Sequence, residues 1–186
     1  MRASYTAQMK LRPHPAFPAA HVRDVTAQVR VRDGVRLDLV YRLKGDVAQL
    51  AVPPVAQPIR TDDLWQSTCF ELFVTDADGA GYAEFNFSPS TAWAAYHFTG
   101  DREGMQPLPL EHPPRIECES GAQHLDLHVS LAVPAAIATV VPVTRRLAIS
   151  AVVQDHAGAM SYWALAHRGD KPDFHHRDGF AYALEF

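Results

Sequence analysis

The sequence predicts an all-β protein, an antiparallel β-sandwich, and three observations carry that expectation. Strand-like alternation of apolar and polar residues recurs along the chain in about eleven runs separated by turn signals. No strand–helix alternation interrupts them, so at most one or two short helices are expected. The third observation is a hairpin in the middle of the chain, CFELFVT and GYAEFNFS around the turn-rich DADGAG, with a wholly apolar face. Residues i, i+2 and i+4 of a strand share a face. Phe70, Leu72 and Val74 therefore sit with Ala83, Phe85 and Phe87 on that apolar face. Cys69, Glu71, Phe73 and Thr75 share the other with Tyr82, Glu84, Asn86 and Ser88. Placing Thr75 opposite Tyr82 sets Glu71 across from Asn86 and Phe73 across from Glu84.

Taken in order, Tyr5, Ala7, Met9 and Leu11 alternate with polar residues, as do Val25, Ala27, Val29 and Val31. Asp33-Gly34 then turns the chain into Val35, Leu37, Leu39, Tyr41 and Leu43. Further strands are expected over 47–52, 69–75, 82–88, 93–99, 115–119, 125–131, 147–153, 161–166 and 180–186. Short helices fit 62–67 and 133–139, the latter with Pro134 in its first turn. The stretch 106–114, with four prolines, reads as a loop. No internal repeat or linker is visible, so residues 1–186 are read as one domain, long enough to bury a core.

Composition narrows the function. A hydrophobic content of 47% with 20% charged residues is ordinary for a soluble globular chain. Net charge is −4, with no basic cluster, so neither nucleic acid nor an anionic membrane is an expected partner. No run nears 18 apolar residues, and the N-terminus lacks an apolar signal core, which makes a cytoplasmic location the expectation. Of the two cysteines, Cys69 lies in a strand and reads as a small buried hydrophobe. The chain carries no GxSxG, P-loop, GxGxxG or CxxC. The DADG run has Phe87 where a calcium loop needs its bidentate Glu, so it is a turn.

The candidate ligand residues gather around the central hairpin. Trp65, flanked by Asp62, Asp63 and Gln66 outside any apolar run, is either a displayed stacking platform or a lid folded over the sandwich end. Glu71, Glu84 and Asn86 share their face with Phe73 and Cys69, which argues against full solvation, so a pocket or a buried polar network is expected. Arg102, in the GDREGM loop, is the expected partner of the acids and a possible ligand contact in its own right. Paired carboxylates also serve glycoside hydrolysis, but acids beside an aromatic platform are equally expected in a binding module. His124, Asp126 and His128 share one strand face and could ligate a metal, though with Leu125, Leu127 and Val129 opposite them a polar outer surface is the plainer reading.

The ordered block LWQSTCFELFV, YAEFNFSPSTAWAAYHF and REGM resembles the bacterial DOMON-like domains related to family-nine carbohydrate-binding modules, and DKPDFHHRDGFAYALEF resumes the likeness. The resemblance implies a jelly-roll sandwich and ligand binding rather than catalysis, with a sugar held between two aromatic side chains among acid, amide and arginine groups. Trp65 then matches the first aromatic and Glu71, six residues on, the acid. Phe174 and His175 stand where the second aromatic is expected. Other branches of the superfamily bind haem through Met and His, for which Met105 and His175 are conceivable ligands, although no motif fixes either. The expectation is a non-enzymatic domain for a carbohydrate or similar polyhydroxylated small molecule, contacting Trp65, Glu71, Glu84, Asn86, Arg102, Phe174 and His175. The alternatives are haem or metal binding through His and Met, or a module that docks a protein partner; the sequence names no cofactor.

Overall fold

The computed structural model describes residues 5–32, 36–76, 79–132, 134 and 144–185. Its strands are β1 (Tyr5–Lys10), β2 (Arg12–Pro13), β3 (Val22–Arg32), β4 (Arg36–Gly45), β5 (Cys69–Thr75), β6 (Tyr82–Phe87) and β7 (Trp93–Phe98). They continue with β8 (Gln106–Pro107), β9 (Arg115–Ser120), β10 (His124–Ala132), β11 (Thr144–Gln154), β12 (Met160–Ala164) and β13 (Tyr182–Glu185). One sheet has the order β1-β3-β4-β10-β9; the other runs β2-β12-β11-β5-β6-β7-β8, with β13 also paired to β11. Every paired strand is antiparallel. Among the described residues there is no α-helix, only three 3-10 turns, and no helix long and apolar enough to cross a membrane. The fold is the expected antiparallel β-sandwich.

The core lies between the sheets. Val25, Val29, Leu37, Leu39, Tyr41, Leu125 and Leu127 from the five-stranded sheet meet Phe70, Leu72, Val74, Phe85, Ile149 and Trp163 from the other. Full burial of each Leu or Phe contributes roughly 1.5–3 kcal/mol. Trp93 and Trp163 both face this core, as their apolar surroundings imply. Tyr41 spans it: its ring lies 5.1 Å from that of Phe70, and its hydroxyl donates to the Glu71 carbonyl at 2.7 Å. The strand carrying Glu71 is thereby tied to the opposite sheet.

The central hairpin takes the expected register, with Thr75 opposite Tyr82, Phe73 opposite Glu84 and Glu71 opposite Asn86. Other expectations need correction. Residues 47–52 form no strand. Val47–Gln49 is a 3-10 turn, and Leu50 makes a single bridge to Asp155. Val47 and Leu50, three apart, pack on the core from that turn, and Pro53-Pro54 offers no N–H groups to a ladder. The proline-bearing 106–114 stretch is a loop except for the two-residue β8, which pairs with β7. The helix expected over 62–67 is a 3-10 turn, Leu64–Gln66. The Asp33-Gly34 turn and the helix expected over 133–139, Pro134 aside, lie outside the described residues.

Candidate functional site

The outward face of the eight-stranded sheet carries the polar half of the hairpin, and three loops wall it into a cleft of about 760 Å³. Five adjacent strands supply the floor. Tyr162 comes from β12, Val152 from β11, Glu71 from β5, Glu84 from β6 and Tyr96 from β7. One wall is the loop before β5, with Arg60, Asp62, Asp63 and Trp65; a second is the loop after β7, with Arg102 and Met105. The segment before β13 closes the third side with Pro172, Phe174 and His175. Volume and mixed lining fall in the range of small-molecule sites.

The floor is dry, and it combines the pocket and the buried polar network that the sequence offered as alternatives. Glu71, Glu84 and Asn86 are all buried, beside Phe73, Tyr82, Phe98 and Phe180 on one side and Leu64, Cys69 and Ala94 on the other. Buried polar groups need partners, and these have them. Ser150 Oγ donates to Glu71 Oε2 at 2.7 Å, and Asn86 Nδ2 donates to Glu84 Oε1 at 2.7 Å. Burial, then repulsion from Glu84, raises the Glu71 carboxyl to about 8, against the opposing Ser150 bond. Burial also raises Glu84, while Asn86 and the Arg102 charge pull it back down. Of the two, Glu71 holds its proton to the higher pH, because the Glu84 charge acts on it.

Arg102 is not the direct partner of these acids. Its guanidinium donates to Asp173 Oδ1 at 2.7 Å, and its charge reaches Glu84 only through space. The pair links two walls of the cleft. His175 adds a second link. The Arg102 backbone N–H donates to the Tyr82 hydroxyl at 3.3 Å, and that hydroxyl lies 2.7 Å from His175 Nδ1. In the tautomer where the Tyr82 hydroxyl donates to Nδ1, the imidazole proton is on Nε2; that nitrogen lies 3.8 Å from Glu84 Oε2. Burial and the nearby Arg102 charge depress His175 to about 4, so it is neutral at physiological pH. Phe174 is steadied from behind by Tyr162, 6.2 Å away, and His167, 6.3 Å away.

Trp65 stands 52% exposed on its wall. Asp62 accepts a bond from the Tyr96 hydroxyl at 2.6 Å. Arg60 donates to the Ala95 and Leu108 carbonyls and lies over the Trp93 and Tyr96 rings. Asp63 and Arg102 both adopt positive φ, at 60° and 55°, conformations that cost energy and gather at functional sites. Of the residues expected at the site, Trp65, Glu71, Glu84, Arg102, Phe174 and His175 line the cleft. Asn86 lies beneath the floor and acts on it through Glu84. Arg60, Tyr96, Phe98 and Tyr162 were not expected there. For Tyr96 and Tyr162 the strand alternation was a usable signal, since Tyr96 shares the face of Phe98 and Tyr162 lies opposite that of Trp163. Met105, half exposed, lines the cleft with His175, whereas among the described residues no group of three or more His, Cys, Asp or Glu is placed to hold a metal ion. Asp126 of the His124, Asp126 and His128 face instead pairs with Arg42 at 3.0 Å.

The class that fold and cleft define is an antiparallel β-sandwich with a walled cleft on the outward face of one sheet. No family model matches the sequence, and no curated protein matches it significantly. Solved structures do match in fold. A protein from Bacteroides uniformis, provisionally described as carbohydrate-binding, superposes with a TM-score of 0.67 at 12% identity over 97% of this chain and 86% of its own. A carbohydrate-binding module of family 9 from Caldicellulosiruptor kristjanssonii, in complex with glucose, gives 0.56 at 6% identity over 95% and 82%. A family 9 module from that organism with cellotriose gives 0.51 at 7% identity, over 86% and 73%. At these identities the likeness is one of fold.

Proposed function

We propose that the cleft binds a carbohydrate without chemical turnover. The observation that carries this reading is Trp65, an indole exposed on the wall of a cleft whose floor is a buried Glu71–Glu84 pair. Sugars present CH-rich faces that stack on indole and hydroxyl edges that bond carboxylates, and this cleft offers both. Phe174, on another wall, supplies a second aromatic surface in the position the sequence resemblance assigns to one. The neighbours of like fold that hold glucose and cellotriose support sugar as the ligand class. Hydrolysis would need carboxyls flanking a scissile bond. Glu71 and Glu84 instead rise from diagonal positions of two adjacent strands on the cleft floor, which suits hydrogen bonding to a held ligand.

The test is a tryptophan-fluorescence titration against a panel of neutral, amino and acidic mono- and oligosaccharides, run beside Trp65→Ala. At least one sugar is expected to change the emission saturably. The variant, altered at an exposed side chain, should melt within a few degrees of the parent yet lose tenfold or more in affinity, about 1.4 kcal/mol. No response to any sugar, or equal affinity in the variant, would refute the proposal.

A further inference from the structure

Glu84 is the most unusual acceptor in the cleft. Its side chain is 8% exposed, and among the described residues one oxygen, Oε1, accepts the Asn86 bond while the other, Oε2, accepts none. Oε2 is not sealed within the protein, because Glu84 lines the cleft and Oε2 is absent from the buried atoms lacking a partner. A carboxylate oxygen held in a dry site without a donor is the part of the molecule that gains most from a ligand donor, and more from a charged one.

The cations nearby do not fill that role. Arg102 spends its ion pair on Asp173, Arg60 is bonded to the Ala95 and Leu108 carbonyls, and His175 Nε2 stops 3.8 Å short of Oε2. His175 is neutral near pH 7, as its depressed value requires. Asp62 and Asp63 sit exposed on the same cleft's wall, adding two carboxylates that repel an anion and attract a cation. Glu71, the other floor acid, is protonated near neutral pH and offers its ligand a neutral group.

We infer that this cleft prefers sugars bearing a free amine, with the ammonium group seated on Glu84 Oε2. The inference rests on the carbohydrate reading and deepens it by naming the substituent that sets specificity. An ammonium donor replaces a neutral hydroxyl by a charge-assisted bond at Glu84 Oε2. A uronate carboxylate, by contrast, meets Glu84 and the two wall aspartates together.

Isothermal titration with four methyl glycosides that differ at one position or one oxidation level decides the matter: glucosaminide, its N-acetyl analogue, glucoside and glucuronide. In the wild type the glucosaminide should bind about tenfold or more tighter than the N-acetyl analogue and the glucoside, and the glucuronide weakest. Added salt should erode the amine advantage and leave the glucoside unchanged. Glu84→Gln should bring the amine-to-neutral ratio near one. The wild-type ratio and the salt series keep the test decisive if Glu84→Gln does not fold. A ratio of one or below in the wild type, or a preference surviving in Glu84→Gln, overturns the inference. If the glucoside binds and the amine brings no advantage, only this inference falls. Silence from all four glycosides and from the wider panel removes the carbohydrate reading with it.

Discussion

At the scale of single residues, the cleft shows how a strand alternation turns into electrostatics. Glu71 and Glu84 sit where a core would place Leu or Val, and burial then keeps a proton on Glu71. That has a consequence for stability. Its folded value of about 8 lies above the ordinary 4.5, so the folded state binds the extra proton between them. The stability this contributes is full below about 4.5 and is lost as the pH rises through about 8. The urea midpoint should therefore fall across that window, and Glu71→Gln should flatten the fall; a wild-type midpoint constant across it would contradict the assignment. His175 acts with the opposite sign. Its folded value of about 4 lies below the ordinary 6.5, so its contribution erodes as pH drops from 6.5 toward 4. What the sequence displays at this scale is the placement of Glu71, Glu84 and Asn86 on one face, because strand period alone decides it. It does not display the ion pair of Arg102 with Asp173, since 71 residues separate them and both lie in loops without periodicity.

At the scale of elements, most strands were legible, whereas the loops were legible only as single residues, Trp65, Arg102, Phe174 and His175, and not as the walls they build. The β5–β6 register followed from the alternation once Thr75 was set opposite Tyr82 across the turn. Residues 47–52 misled, because Val47, Leu50 and Val52 are apolar enough for a strand while the prolines that follow deny it a ladder. The segment before β13 is the least regular wall of the cleft, fixed by the Arg102–Asp173 pair and by Tyr82 against His175. Its position is thus a property of side-chain bonds rather than of a sheet ladder. Tyr82→Phe deletes one of them, leaving His175 Nδ1 unpaired at a cost of about 1–3 kcal/mol. Hydrogen exchange at residues 173–176 should quicken by tenfold or more in that variant, with the β5–β6 amides unaffected, and sugar affinity should weaken in parallel. Unchanged exchange in 173–176 would mean that the ring packing alone holds this wall.

At the scale of the molecule, the two sheets divide the work. The five-stranded sheet and the inward face of the other form the core, which frees the outward face of β12, β11, β5, β6 and β7 to carry a polar cleft. Tyr41 joins the two halves at the backbone of Glu71, so the floor of the cleft is braced by the opposite sheet. The three tryptophans report on this division separately, since Trp93 and Trp163 lie in the core and Trp65 stands in the cleft. Their indole N–H signals in a proton–nitrogen correlation spectrum, recorded during titration with the tightest sugar of the panel, test the central claim most directly. The Trp65 signal should move progressively and saturate while those of Trp93 and Trp163 stay in place. A Trp65 signal that stays fixed while sugar binds, or movement confined to the core indoles, would contradict it.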